Sequence, residues 1–187
     1  MSLKIIGGRC RGRSLVSPRG MAVRPTAGRV REAIFNILFS RIDNAVVLDL
    51  FAGTGAMGIE ALSRGAARAV FVDSRPEALA VIRQNLQACG LSSAAGIIRQ
   101  DATRNLSGLV HLQLMFDIVF MDPPYNRDTV GKALAALAGT VLLKPGSMVV
   151  LEHSPREPAE EESGRFHLLD QRRYGQTVVS FLEYGTN

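Results

Sequence analysis

Asp122-Pro123-Pro124-Tyr125 is the stretch whose residue types point most directly to a chemistry. Two consecutive prolines lack backbone donors and fix φ, so the chain there forms a stiff bend that presents carbonyl oxygens. With the Asp122 carboxylate beside them the bend is rich in acceptors. A group that only donates, such as the exocyclic NH2 of a nucleobase, suits such a place. Tyr125 adds an aromatic face on which an unstacked base can lie.

A second set of residues lies upstream, in Leu48-Asp49-Leu50-Phe51-Ala52-Gly53-Thr54-Gly55-Ala56-Met57-Gly58. Gly53, Gly55 and Gly58 have the G-x-G-x-x-G spacing of nucleotide-binding loops, where missing Cβ atoms let a ligand approach the backbone. A dinucleotide loop usually runs apolar into its first glycine, because a pyrophosphate sits there. Here Asp49 stands four positions before Gly53, and a carboxylate suits a ligand carrying positive charge. Asp73 follows Gly53 by twenty residues, the distance at which an acid takes ribose hydroxyls in related folds. Asp101 and Asp122 also close apolar runs, so four successive strands are expected to end in Asp.

The elements that position these acids alternate strand and helix, the pattern of a parallel sheet covered on both faces. Strands are expected at 46–51, 69–73, 96–99, 116–121 and 147–152. Helices are expected over 56–63, 76–89 and 129–137, with Pro76 suiting a first turn and Gly90 a C-cap. Lys144-Pro145-Gly146 reads as a turn, 154–164 as an exposed loop, and 166–173 with 177–184 as an antiparallel hairpin around Gly175. Upstream, a helix over 27–40 places Val30, Ile34, Ile37 and Leu38 on one face, with Thr26 as a candidate cap. Two short extended pieces, about 3–6 and 13–16, predict a small hairpin outside the main core.

The 187 residues, 47% of them hydrophobic, suffice for one well-buried domain and are short for two. No apolar run approaches a membrane helix. Cys10 and Cys89 stand alone and read as reduced thiols of a cytosolic protein, and with three scattered histidines no metal is expected. The net charge of +5 is unevenly placed: Lys4, Arg9, Arg11, Arg13, Arg19, Arg24, Arg29 and Arg31 precede the first acid, Glu32. A basic arm on a mildly acidic body predicts a polyanionic partner, because clustered arginines neutralise phosphates and release counterions.

The acid, short apolar spacer and G-x-G of 49–55 resemble the first motif of the S-adenosylmethionine-dependent methyltransferases of the Rossmann-like class. The tetrad at 122–125 matches the (Asp/Asn/Ser)-Pro-Pro-(Tyr/Phe/Trp) motif of those that methylate amines of adenine, cytosine or guanine, or protein glutamines. Arg24-Pro25-Thr26 with Arg29-Val30-Arg31-Glu32-Ala33-Ile34-Phe35-Asn36 is similar to the segment that precedes the catalytic domain in the bacterial 16S ribosomal RNA guanine-N2 methyltransferases. Basic arm, segment, glycine loop, acids and tetrad occur in that family's order, and Tyr125 stands where the family often has Phe.

The resemblance implies an α/β Rossmann-like fold: a mostly parallel seven-stranded sheet, a C-terminal antiparallel hairpin, helices on both faces, and a basic arm over 1–24 preceding a catalytic domain over 25–187. It implies a methyl donor held by Asp49, Phe51, Ala52, Gly53, Thr54, Gly55, Gly58, Asp73 and Ser74, with Asp101-Ala102 at the adenine and Thr26 in the covering segment. It implies amine activation by Asp122, Pro123, Pro124 and Tyr125, and RNA contacts from Arg9, Arg11, Arg13, Arg24, Arg29 and Arg31. The expected setting is a cytoplasmic monomer acting on 16S ribosomal RNA or the assembling small subunit, with no membrane. An adenine-N6 methyltransferase of DNA or RNA, a dinucleotide-dependent oxidoreductase and a noncatalytic RNA-binding module are the competing readings.

Overall fold

A computed structural model describes residues 3–17, 25–104, 106–124, 129–157 and 164–185, the side chains of 25–27 excepted. The hairpin strands β1 (Leu3–Lys4) and β2 (Ser14–Leu15) pair antiparallel. Helices α1 (Pro25–Ile37) and α2 (Phe39–Ile42) follow. Strand–helix units come next: β3 (Val46–Leu50), α3 (Ala56–Ser63), β4 (Arg68–Asp73), α4 (Pro76–Cys89), β5 (Ala95–Arg99), the short α5 (Ser107–Val110), β6 (Phe116–Met121) and α6 (Thr129–Ala138). The chain ends with β7 (Leu143–His153), β8 (Phe166–Tyr174) and β9 (Thr177–Tyr184). Among the described residues no helix is long and apolar enough to cross a membrane.

The sheet order is β5-β4-β3-β6-β7-β9-β8, with β3 to β7 parallel and β9 antiparallel to both of its neighbours. This is the mostly parallel, seven-stranded α/β sheet that the sequence predicts. Its central strands are apolar almost throughout because both faces are covered. Val47, Phe71, Ile118, Phe120 and Val150 pack against α1, α3 and α4. Leu48, Leu50, Val72, Val119 and Leu151 pack against α5 and α6.

Three expectations change. The single helix over 27–40 divides at Leu38, and Ile37 is exposed while Phe35 is fully buried. A 3.6-residue period carries the buried stripe through 30, 31, 34, 35 and 38, and the Phe35 ring meets Phe120 at 5.5 Å with the Arg64 guanidinium 5.0 Å from its centre. The stretch 144–146 is an irregularity inside β7 rather than a turn ahead of it. The register jumps from Phe116↔Leu143 to Ile118↔Met148, and Ser147 Oγ closes the gap by donating to Phe116 O at 2.7 Å.

The third change concerns the N-terminal hairpin, which shares the main core instead of lying outside it. Leu3, Ile5, Cys10 and Leu15 are buried in the same cluster as α1, α3 and α4. The fastening is polar: Glu60 of α3, fully buried, accepts from Ile6 N at 2.8 Å, Gly7 N at 2.7 Å and Arg64 Nε at 2.8 Å. Arg31 Nε stands 3.6 Å from the same carboxylate, and the Arg31 guanidinium donates to Lys4 O. Asn85 exchanges hydrogen bonds with Val16 N and O, and also donates to Thr54 O. Cys10 Sγ lies 3.4 Å from Cys89 O, and burial pushes the Cys89 thiol up, away from reactivity.

Removing the Glu60 carboxylate leaves the Arg31 and Arg64 guanidinium groups without their counter-charge and the part-buried amides of Ile6 and Gly7 without an acceptor. Glu60→Ala is therefore predicted to cost about 3–5 kcal/mol in urea unfolding. A loss below about 1 kcal/mol would show that the hairpin is not held this way.

Candidate active site

β3 delivers its chain into the glycine loop through a strained residue. Phe51 has φ +58, the left-handed region that a bulky side chain rarely adopts, at a cost on the order of 1–3 kcal/mol. The loop that follows is over-determined: Ala52 N donates to Val72 O at 3.0 Å and Gly55 N to Ala52 O at 2.7 Å. Two acids hold it from below. Asp73 Oδ2 accepts from Gly53 N and Asp49 Oδ2 from Gly58 N, each at 2.9 Å. A Cβ on Gly58 would lie 2.4 Å from the Phe71 ring, so that glycine is demanded by packing of α3 on β4. Gly55 starts α3 at φ +75, closely boxed by Ile82, Ile59 and Phe71.

Above the loop, across the carboxyl ends of the strands, opens one cleft of about 970 Å³. Asp49, Phe51, Ala52, Gly53 and Thr54 line it from β3 and the loop, Asp73 and Ser74 from β4, and Asp101 and Ala102 from the end of β5. Asp122, Pro123 and Pro124 line it from the end of β6. Gly53 and the diproline bend thus share a cavity. Tyr125 and Arg24 lie outside the described residues, as does the side chain of Thr26, whose backbone belongs to the first turn of α1. Thr129 Oγ1 donates to Pro124 O at 2.9 Å, tying the bend to the start of α6.

The acids differ in their surroundings. Asp49 is 3% exposed, and burial raises its pKa to about 7 against the pull of the Gly58 amide, with the Asp73 charge adding to the rise. Burial would raise Asp73 as well, but the Arg75 side chain, the Arg75 amide and the Gly53 amide outweigh it and hold that carboxyl below its usual range. Arg75 grips it with Nε to Oδ1 and Nη2 to Oδ2, both at 3.1 Å. Asp101 is held below the usual range by the Thr103 hydroxyl, at 2.6 Å, and the Thr103 amide. A deep carboxylate poised near neutrality is a place for a cation, and the two ionised acids are places for donors.

The arginines divide. Arg9, Arg11 and Arg29 are exposed. Arg13 is exposed too, with its guanidinium donating to Ala88 O at the end of α4. Arg31 corrects the expectation of a surface, RNA-facing side chain: it is 5% exposed, committed to Glu60 and Lys4, and lines the cleft. Residues that the sequence does not single out also line it, among them Met57, Arg75, Thr103, Thr129 and Glu152. Val30 and Ile34 from α1 serve both core and cleft wall, a double duty that helical periodicity cannot separate from core alone.

The family model described as "Conserved hypothetical protein 95" matches residues 3–183. The chain is 33% identical over 182 residues to the ribosomal RNA small subunit methyltransferase D of Haemophilus influenzae, covering 97% of this chain and 93% of that one. It is 36% identical over 150 residues to the protein of the same name in Escherichia coli K12, covering 80% and 74%. The solved structure of Escherichia coli yhhF superposes with a TM-score of 0.84 at 29% identity, covering all of both chains. Match, identity and coverage agree with the order of motifs along the cleft, and the chain belongs to the conserved hypothetical protein 95 family, that of the ribosomal RNA small subunit methyltransferases D.

Proposed function

We propose that the chain methylates the exocyclic N2 amine of a guanine in 16S ribosomal RNA, with S-adenosylmethionine as methyl donor. One observation carries this: the glycine loop, the acids of β3, β4 and β5, and the acceptor-rich bend after β6 line a single cleft. The donor set fits the cofactor. Asp49 offers a buried carboxylate to its positive end, Gly53 a close backbone approach, Asp73 acceptors for a ribose diol and Asp101 an acceptor for the adenine amine. Taking a diol at Asp73 requires Arg75, whose side chain is half-exposed, to release its fork. When bound, the cofactor supplies an electrophilic methyl group.

The residues of the bend then act on the amine. Its lone pair is delocalised into the ring, so it attacks poorly unless its protons are held. Asp122 accepts one proton's hydrogen bond and a proline carbonyl the other, which turns the lone pair out of the ring plane. A carboxylate is far too weak a base to deprotonate an aryl amine in advance, so Asp122 takes the proton as the new C–N bond forms. Positioning supplies most of the acceleration. Arg9, Arg11, Arg13 and Arg29 provide phosphate contacts for the RNA, whose binding then weakens steeply with salt.

Incubation with labelled S-adenosylmethionine and unmodified ribosomal RNA or immature small subunits, followed by nucleoside analysis, tests the reading. Label in N2-methylguanosine is expected, and label only in methyladenine would overturn the choice of base. Asp122→Ala is predicted to lower transfer at least about 10³-fold while cofactor affinity persists. Substantial turnover in that variant would remove Asp122 from the mechanism.

The Asp49 carboxyl predicts two further outcomes. Binding a cation favours the ionised form, so affinity for S-adenosylmethionine should fall by about 10-fold between pH 8 and pH 6, as a site of pKa about 7 gains its proton. Stability of the ligand-free chain runs oppositely. The folded state holds this proton more tightly than the unfolded one, so the Asp49 contribution is present at low pH and is lost as pH rises from about 4 through 7. Calorimetry on Asp49→Asn should show weak, pH-flat binding and a raised melting temperature at pH 8. A pH profile unchanged by that substitution would contradict the assignment.

A further inference from the structure

Glu152 interrupts the apolar run Met148–Leu151 at the carboxyl end of β7, beside the bend that holds the amine. The pairing Met121↔Leu151 sets Asp122 and Glu152 one residue further along neighbouring parallel strands, about 5 Å apart across the ladder. Strand alternation sends both towards the same face. Phe120, two residues before Asp122, and Val150, two before Glu152, pack in the cluster beneath α1, and Glu152 pairs across β9 with Val179 of that cluster. Glu152 is half-buried and lines the cleft together with Asp122, Pro123 and Pro124. A second carboxylate therefore stands next to the acceptors assigned to the amine.

The chemistry of the bases gives that neighbour a meaning. On its Watson–Crick flank the exocyclic amine of guanine is neighboured by N1–H, a donor, with the acceptor N3 on the opposite flank. The corresponding Watson–Crick neighbour is N1 in adenine and N3 in cytosine, both acceptors. An acceptor placed one hydrogen bond away from the amine's own acceptors welcomes guanine and confronts the other two with lone pair against lone pair. The diproline bend cannot make this distinction, because all three bases present the same NH2 to it.

We propose that Glu152 is the residue that selects guanine, its carboxylate accepting the ring N1–H while Asp122 and the proline carbonyl hold the N2 amine; this rests on the guanine-N2 function proposed above. It assigns base choice to β7 and methyl transfer to β6. Specificity built on a buried hydrogen bond is steep, since a mismatched analogue leaves the site's polar group facing the wrong partner.

2-Aminopurine tests it, because it carries the same exocyclic amine as guanine but an acceptor at N1. The target guanosine, once mapped, is replaced by 2-aminopurine riboside in an otherwise identical RNA, and single-turnover rates are measured with the wild-type chain and with Glu152→Gln. The wild-type chain is expected to prefer guanosine by about 10- to 100-fold. In Glu152→Gln a neutral amide oxygen replaces the charged acceptor and an NH2 donor is added, so guanosine transfer should fall while 2-aminopurine transfer, whose N1 can now accept from the amide, rises and the preference between the two bases collapses. Equal rates of both proteins on guanosine would overturn the proposal. So would a loss on guanosine with no gain on 2-aminopurine, the signature of a merely structural glutamate. Failure of the wild-type chain on every guanosine would instead overturn the guanine function itself, and the role of Glu152 with it.

Discussion

Two hydrogen bonds donated by backbone amides to buried carboxylates, Gly58 N to Asp49 and Gly53 N to Asp73, set the shape on which everything else in this chain depends. Between them the backbone turns through a left-handed Phe51, a conformation that persists only because both ends of the turn are held. The acids pay for burial with these bonds, and in doing so they fix where a ligand meets backbone rather than side chain. Asp49 keeps the larger imbalance: burial, with the Asp73 charge beside it, outweighs the Gly58 amide and raises its pKa to about 7.

The same helix that begins at this loop also anchors the N-terminus. Glu60, one turn past Gly55 and its neighbours, gathers the hairpin amides and two arginines at a point 53 and 54 residues away in sequence. The hairpin that carries Arg9, Arg11 and Arg13 is therefore oriented relative to the cleft by buried bonds instead of trailing from it. A polyanion that meets those arginines meets a surface in fixed relation to the diproline bend.

Much of this was legible in the residues because strand-end acids and glycine spacing are local signals. Apolar runs located β3, β4 and β6 almost to the residue, with Asp73 ending β4, Asp122 following β6 and Asp49 lying one residue inside the end of β3, since strands buried on both faces leave no other composition. Long-range pairing was illegible. Arg31 reads as one more cation of a basic arm until its partner Glu60 is placed beside it, and Phe35 against Ile37 is decided by Phe120 on a distant strand. Glu152 carries no motif at all: only the register of β6 against β7 brings it to Asp122.

The central claim is that the donor loop and the acceptor bend face one another across a single cleft, at reacting distance. A crystal structure of the chain with S-adenosylhomocysteine bound tests it most directly. The thioether sulfur should point at the Asp122–Pro123 bend, leaving room for one methyl group and one amine nitrogen, with the ribose at Asp73 and the adenine at Asp101. A ligand lying elsewhere, or a sulfur separated from Asp122 by protein, would contradict it.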